Sequence, residues 1–210
     1  MEQNSTVVVL ALYKITTRPS MEQLNNNLFL AINQFAGQNK FTDYIFMFFA
    51  EAMPYLFIIL VIGIWFRSDE QTKRFLIGAT LASVVGITIN SLIAQVYFHP
   101  RPFMNDLGTT LVAHAPNSSF PSDHTTFMFC IAFSLLFHQA TKKLALGLTV
   151  FAIIGGLSRV YIGVHYPFDI AAASVMGMLS AMLVHTTRYK LTGIYNLIIA
   201  IGDRLTNRLL

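Results

Sequence analysis

Apolar residues dominate five stretches of the chain, and the polar residues gather between them. The clearest stretch is YIFMFFAEAMPYLFIILVIGIWF at 44–66. At about 1.5 Å per residue it spans about 34 Å as a helix, more than the roughly 30 Å of a bilayer core. Further spans are predicted at about 75–98, 121–138, 144–164 and 168–187. The Gly and Ala in GATLASVVG and AAASVMGMLSA suit close helix contact in lipid. The pattern predicts an all-α integral membrane bundle of about five transmembrane helices. No internal repeat or low-complexity segment interrupts it.

The ends carry a different pattern. Residues 24–36, LNNNLFLAINQFA, are predicted as a short amphipathic helix at the membrane interface. Residues 194–209 place Ile194, Leu197, Ile198, Ile201, Leu205 and Leu209 at helical spacing, with Arg204 and Arg208 among the polar positions, which predicts a second interfacial helix. Near the start, STVVVLALY is too short to span and lacks a signal-peptide cleavage pattern, and Met21 is a second candidate start. The expected organisation is an N-terminal extension over 1–43, a transmembrane catalytic domain over 44–187 and a cytoplasmic interfacial helix over 188–210.

Composition sharpens the membrane reading. The chain is 54% hydrophobic and only 11% charged, against about 25% charged in a soluble domain. The net charge of +4 comes without basic runs interleaved with aromatics, so no nucleic-acid partner is expected. The one cysteine, Cys130, cannot form an intrachain disulfide and is read as packing. Arg67, Lys73 and Arg74 follow the first span, Lys142 and Lys143 the third, and Arg188 and Lys190 the fifth. The positive-inside rule then places these loops in the cytoplasm, and the loop 99–120 and the turn HYP at 165–167 outside. Lys14, Arg18 and Lys40 pull the other way, less consistently.

That topology brings three polar clusters to one membrane depth. HPRPF contributes Arg101 and Pro102, PSDH at 121–124 ends the outer loop, and SRVYIGVHYPFD contributes Ser158, Arg159, His165, Pro167 and Asp169. Arginines fork onto phosphate oxygens, and the start of the third span offers free N–H groups and a positive dipole end. Pro121 suits the first helical turn, Ser118 or Ser119 is a candidate cap, and Ser122 can donate its hydroxyl. H-x3-H zinc spacing is absent, and no Cys or carboxylate cluster replaces it, so the expected phosphate cradle has no metal or cofactor. Two histidines can divide the chemistry, one attacking phosphorus and one protonating the leaving oxygen. Asp169 lies four residues after His165 and can hold one ring nitrogen while the other attacks, and His124 suits the acid role. Glu51, about seven residues into the first span, is expected to border the pocket and pair with a histidine or arginine. Asp123 adds a negative charge near the bound anion. Singly, Arg101 reads as a headgroup contact, Ser122 as a helix cap, and His165 with Asp169 as an interfacial hydrogen bond; spacing and common depth favour a site. His99 and His114 read as loop residues, and His138 and His185 as structural residues near the cytoplasmic ends.

Together RP at 101–102, PSDH at 121–124 and SR-x5-H-x3-D at 158–169 resemble the three motifs of the type 2 phosphatidic acid phosphatase superfamily. Within it the chain is most similar to the bacitracin-resistance type of undecaprenyl pyrophosphate phosphatase, in which Asp often takes the third position of PSDH. The resemblance covers roughly 44–187. It implies His165 as a nucleophile forming a phosphohistidine, His124 as general acid, Asp169 as orienter, and Arg101, Ser122 and Arg159 as phosphate ligands. The chain departs from the superfamily at Ala94, where a Lys precedes the first-motif Arg by seven residues, and at Asp123, where Gly is usual. Three functions follow: hydrolysis of undecaprenyl diphosphate on the outer face, with membrane lipids as surroundings; the same chemistry on another lipid phosphate such as phosphatidylglycerophosphate; or lipid-phosphate transport without cleavage.

Overall fold

The computed structural model describes the backbone of residues 20–209 and the side chains of residues 20–204. STVVVLALY and the side chains of Leu205, Arg208 and Leu209 lie outside the described residues. Among the described residues seven α-helices run in order and no strand occurs. They are α1 (Met21–Asn33), α2 (Lys40–Trp65), α3 (Glu70–Val96), α4 (Asp123–Leu136), α5 (Lys142–Tyr161), α6 (Pro167–Thr187) and α7 (Thr192–Leu209).

Local chemistry sets the helix starts. Ser20 and Gln23 form a reciprocal capping box on α1. Asn39 accepts from the Phe41 and Thr42 amides to open α2, and Asp69 accepts from Thr72 N to open α3. Pro167 occupies the first turn of α6, where a missing N–H costs nothing.

Four helical stretches among the described residues are long and apolar enough to cross a membrane: Lys40–Trp65, Glu70–Val96, Gln139–Tyr161 and Pro167–Arg204. With the shorter α4 between them, they make a multi-pass membrane protein. Helix α4 has 14 residues against the 18 expected at 121–138, about 21 Å long by helical rise. Its shortness goes with its place. It is the central helix, packed by α3, α5 and α6, and Met128, Cys130, Ala132 and Leu135 are fully buried. Large apolar side chains instead face outward from the flanking helices, among them Ile59, Ile62, Val150 and Leu179, as a lipid-facing surface requires.

The terminal helices dock on this bundle. Helix α1 buries Asn25, Phe29 and Asn33, and Asn33 Nδ2 donates to the carbonyls of Thr109 at 2.8 Å and Tyr161 at 2.7 Å. It is therefore pinned to the loop 99–120 and the end of α5, beyond what its amphipathic pattern predicts. Helix α7 buries Tyr195 and Ile199 against α3, and Lys73 pairs with Asp203 at 2.6 Å. Its apolar stripe of Ile194, Leu197, Ile198 and Ile201 faces outward. The stripe is not the face that packs on the protein.

Candidate active site

The polar clusters predicted from the sequence meet at one end of the bundle. Helix α4 contributes its N-terminus, α5 its C-terminus, α6 its first turn, and the segment after α3 contributes Arg101. The connection between α5 and α6 turns at Gly163, whose φ of +85° is in the left-handed region. A Cβ there would strike the Thr109 carbonyl. The loop 99–120 thus lies directly on this turn, and Leu111 N donates to Ile162 O at 3.1 Å.

His165 is almost fully buried, and both ring nitrogens have partners. Nδ1 lies 3.3 Å from Asp169 Oδ2, which also accepts from Tyr166 N at 2.8 Å. Nε2 lies 3.1 Å from Arg101 Nη1. A guanidinium can only donate. Nε2 must therefore be unprotonated, its lone pair accepting from Arg101, and the proton sits on Nδ1 facing the carboxylate. Burial first, and then the charges of Arg159 and Arg101, hold His165 well below the ordinary imidazole range, so the neutral ring persists.

The two arginines are held differently. Arg101 is locked by the carbonyls of Val164 at 2.8 Å and Ser118 at 3.2 Å, and by Asn117 Oδ1 at 3.0 Å. Burial and the charge of Arg159 lower its pKa to about 10, which leaves it a cation at neutral pH. Arg159 is 1% exposed. Its Nη1 donates to Ala50 O at 3.1 Å and meets Glu51 Oε1 at 3.4 Å, while its Nη2 meets His114 Nε2 at 3.3 Å. Arg159 Nε is buried with no partner among the described residues. The Ala50 carbonyl is free because of Pro54. Four residues on, proline has no N–H to close the helical bond back to it.

Ser122 is buried at the N-cap of α4 but makes no side-chain cap; its hydroxyl bonds Thr125 Oγ1 at 3.0 Å. The first N–H groups of α4 therefore lack a capping side chain, which suits an anion. Ser118 and Ser119 do not cap the helix as expected. They bind His99 instead, Ser118 Oγ accepting from its backbone N–H and Ser119 Oγ lying 2.8 Å from Nδ1. Pro121 precedes the cap, one residue outside the helix, rather than sitting in its first turn. His124 lies in the first turn of α4, within the fields of Arg159, His114 and Arg101.

Asp123 is exposed and accepts from Asn90 Nδ2 at 3.0 Å, and its charge acts on Arg101 and Arg159. Asn90 lies one helical turn before Ala94, so α3 reaches the PSDH segment from a different register. No three His, Cys, Asp or Glu side chains among the described residues are grouped to hold a metal ion.

His114, Asn117, Asn90 and Pro54 were not singled out for this cluster by sequence. His114 carries the one available signal, a titratable residue in the outer loop; burial and the nearby arginines lower its pKa. His138 and His185 are packed at the other end: His138 stacks on Phe75 and bonds Thr72, and His185 stacks on Phe137.

Residues 72–192, which include every cluster residue except Ala50, Glu51 and Pro54, match the PAP2 superfamily. The chain belongs to this superfamily. The chain is similar to Undecaprenyl-diphosphatase BcrC of Bacillus subtilis (strain 168), 31% identical over 186 residues, covering 89% of this chain and 95% of that protein. It is 33% identical over 181 residues to Bacitracin transport permease protein BcrC of Bacillus licheniformis, covering 85% of this chain and 88% of that one. Among solved structures it is similar to Aquifex aeolicus LpxE, with a TM-score of 0.62, 26% identity, and coverage of 78% of this chain and 95% of that chain. Each of the three motifs sits at a helix end or in the segment beside one, and all these ends are on the same side.

Proposed function

We propose that the protein is a lipid phosphatase that hydrolyses undecaprenyl diphosphate to undecaprenyl phosphate and inorganic phosphate on the extracytoplasmic face. One observation carries the chemistry. Asp169 and Arg101 together fix the tautomer of His165 that leaves Nε2 as a nucleophile beside a phosphate-binding cation. The superfamily membership and the relative named undecaprenyl-diphosphatase support the substrate class.

In this reading Arg101, the unpartnered Nε of Arg159 and the open amides of α4 hold the terminal phosphoryl group. His165 Nε2 attacks its phosphorus, an N–P bond forms, and the bond from phosphorus to the bridging oxygen breaks. His124 protonates that oxygen, and the lipid leaves as the monophosphate. Asp169 stabilises the Nδ1–H as positive charge develops on the ring. Water then attacks the phosphohistidine, His124 takes its proton, and inorganic phosphate is released.

The outward position of the site rests on the basic loops at the opposite end. The prenyl tail stays in lipid while the diphosphate enters at headgroup depth. Because bacitracin sequesters the diphosphate, extra copies of the protein are expected to raise tolerance to it. The deciding experiment compares kcat/KM in detergent for undecaprenyl diphosphate, farnesyl diphosphate, phosphatidic acid and phosphatidylglycerophosphate. The prenyl diphosphates are expected to lead. A preference for either glycerolipid overturns the substrate assignment, and binding without phosphate release overturns hydrolysis altogether.

A further inference from the structure

A second polar and apolar pocket lies at the opposite end of the helices, away from His165. It is a cavity of about 370 Å³ between α3, the C-termini of α4 and α6, and α7. Its walls include Phe75, Phe137, Ala181 and Val184, and Arg74 and Arg188 border it. Glu70 pairs with Arg74 at 2.6 Å, so the two guanidiniums and one carboxylate leave a net positive rim.

Two hydroxyls in this cavity have no partner among the described residues, and that of Ser134 is buried. Tyr195 is 4% exposed, and its Oη makes no hydrogen bond among the described residues. It lies 3.5 Å from where a Cβ on Gly78 would stand, and Gly78 also lines the cavity. The charges of Arg188 and Arg74 both act on this phenol. Ser134 is 5% exposed, lines the same cavity, and leaves its Oγ unpaired. A buried hydroxyl without a partner is costly. Here one of them, together with the Tyr195 phenol, lines a cavity that also has guanidinium donors and apolar walls. Nothing in the phosphoryl-transfer chemistry uses these residues.

We propose that this pocket binds an anionic lipid, an apolar chain carrying one phosphate, with the phosphate on Arg188, Arg74 and Tyr195 and the chain against Phe75, Phe137 and Val184. Guanidiniums and a phenol O–H donate to phosphate oxygens, and the adjoining wall removes chain methylenes from water. The site stands independently of the substrate assigned to His165.

The test is native mass spectrometry of the purified protein released from detergent. It is titrated separately with farnesyl monophosphate, phosphatidylglycerol, diacylglycerol and inorganic phosphate. A lipid phosphate is expected to add one bound molecule beyond any held at the His165 end. Arg188→Gln and Tyr195→Phe are expected to weaken that adduct about tenfold, the order of one or two charge-assisted hydrogen bonds, with turnover unchanged. Tyr195→Phe removes only the hydroxyl, so thermal stability without lipid is expected to stay at the wild-type value or rise. Preference for farnesyl monophosphate identifies the ligand with the chemistry of a prenyl phosphate; preference for phosphatidylglycerol identifies it with bulk membrane lipid. An adduct that survives both substitutions at wild-type affinity overturns the site. So does equal binding of diacylglycerol or of inorganic phosphate, since neither combines a phosphate with an apolar chain.

Discussion

His165 shows how little freedom a single side chain has at this site. Its two ring nitrogens meet a carboxylate and a guanidinium, and these partners admit one neutral tautomer. Replacing Asp169 with Asn keeps the shape but presents an amide that can donate toward Nδ1. The ring proton is then free to move to Nε2, and the nucleophilic lone pair is lost. Asp169→Asn is expected to lower kcat by about 10³–10⁴, the order seen when the orienting carboxylate of a serine-protease triad is changed. Trapping with labelled substrate and acid quench is expected to show correspondingly little phosphohistidine. A variant with near-wild-type kcat sinks the tautomer assignment. Pro54 makes a subtler case. Pro54→Ala restores an amide that competes with Arg159 for the Ala50 carbonyl. It is expected to lower kcat/KM about fivefold to tenfold, within the range for a hydrogen bond to a charged group, without loss of thermal stability. In an Arg159→Ala background the same change is expected to have no further effect, and additive losses in that double-mutant cycle refute the link.

At the scale of elements, α4 is short because it is enclosed, and glycines let its neighbours approach. Gly177 on α6 faces Phe129, and an added Cβ would lie 2.5 Å from Phe129 Cβ and 3.1 Å from the backbone N of Cys130. Backbone cannot rotate aside, so Gly177→Ala is expected to destabilise by about 1–3 kcal/mol through overpacking. Gly147 on α5 has nothing within 4 Å of the same added atom. There Gly147→Ala is expected to stabilise the helix, by up to about 1 kcal/mol from propensity. Detergent-solubilised thermal melts of the two variants check the contrast, and equal shifts refute the packing assignment.

The same elements show what the sequence makes legible. The spans are readable because lipid requires long apolar helices, and the three motif clusters lie together because topology puts their helix ends on one side. The partners inside the cluster are not readable in that way. Asn90 meets Asp123 across 33 positions, and Asn33 reaches the Tyr161 carbonyl across 128. Nothing in local periodicity encodes those distances. Likewise α7 carries an apolar stripe at helical spacing, yet it packs on the protein through Tyr195 and Ile199. In lipid the stripe need not be the buried face.

For the whole molecule, orientation decides which compartment the His165 end meets. The folded loops also decide where a probe can be placed. Gly108 would be a poor site for an introduced cysteine: its φ is +72°, and a Cβ there would run into Asn33. Thr141 is poor at the other end, buried and donating to the Leu135 carbonyl at 2.7 Å. Ala113 in the outer loop and Ala140 beside α5 are both exposed, and the native Cys130 is fully buried and shielded from reagent. If Lys142 and Lys143 mark the cytoplasmic side, as the positive-inside rule predicts, Ala113→Cys is expected to react with an impermeant maleimide in intact cells. Ala140→Cys is expected to react only after the membrane is opened. The reverse pattern would turn the molecule over, and a substrate released outside the cell would then be out of reach of His165. It would also place the Arg188 and Tyr195 pocket in the outer leaflet, so one labelling experiment fixes which leaflet each phosphate site meets.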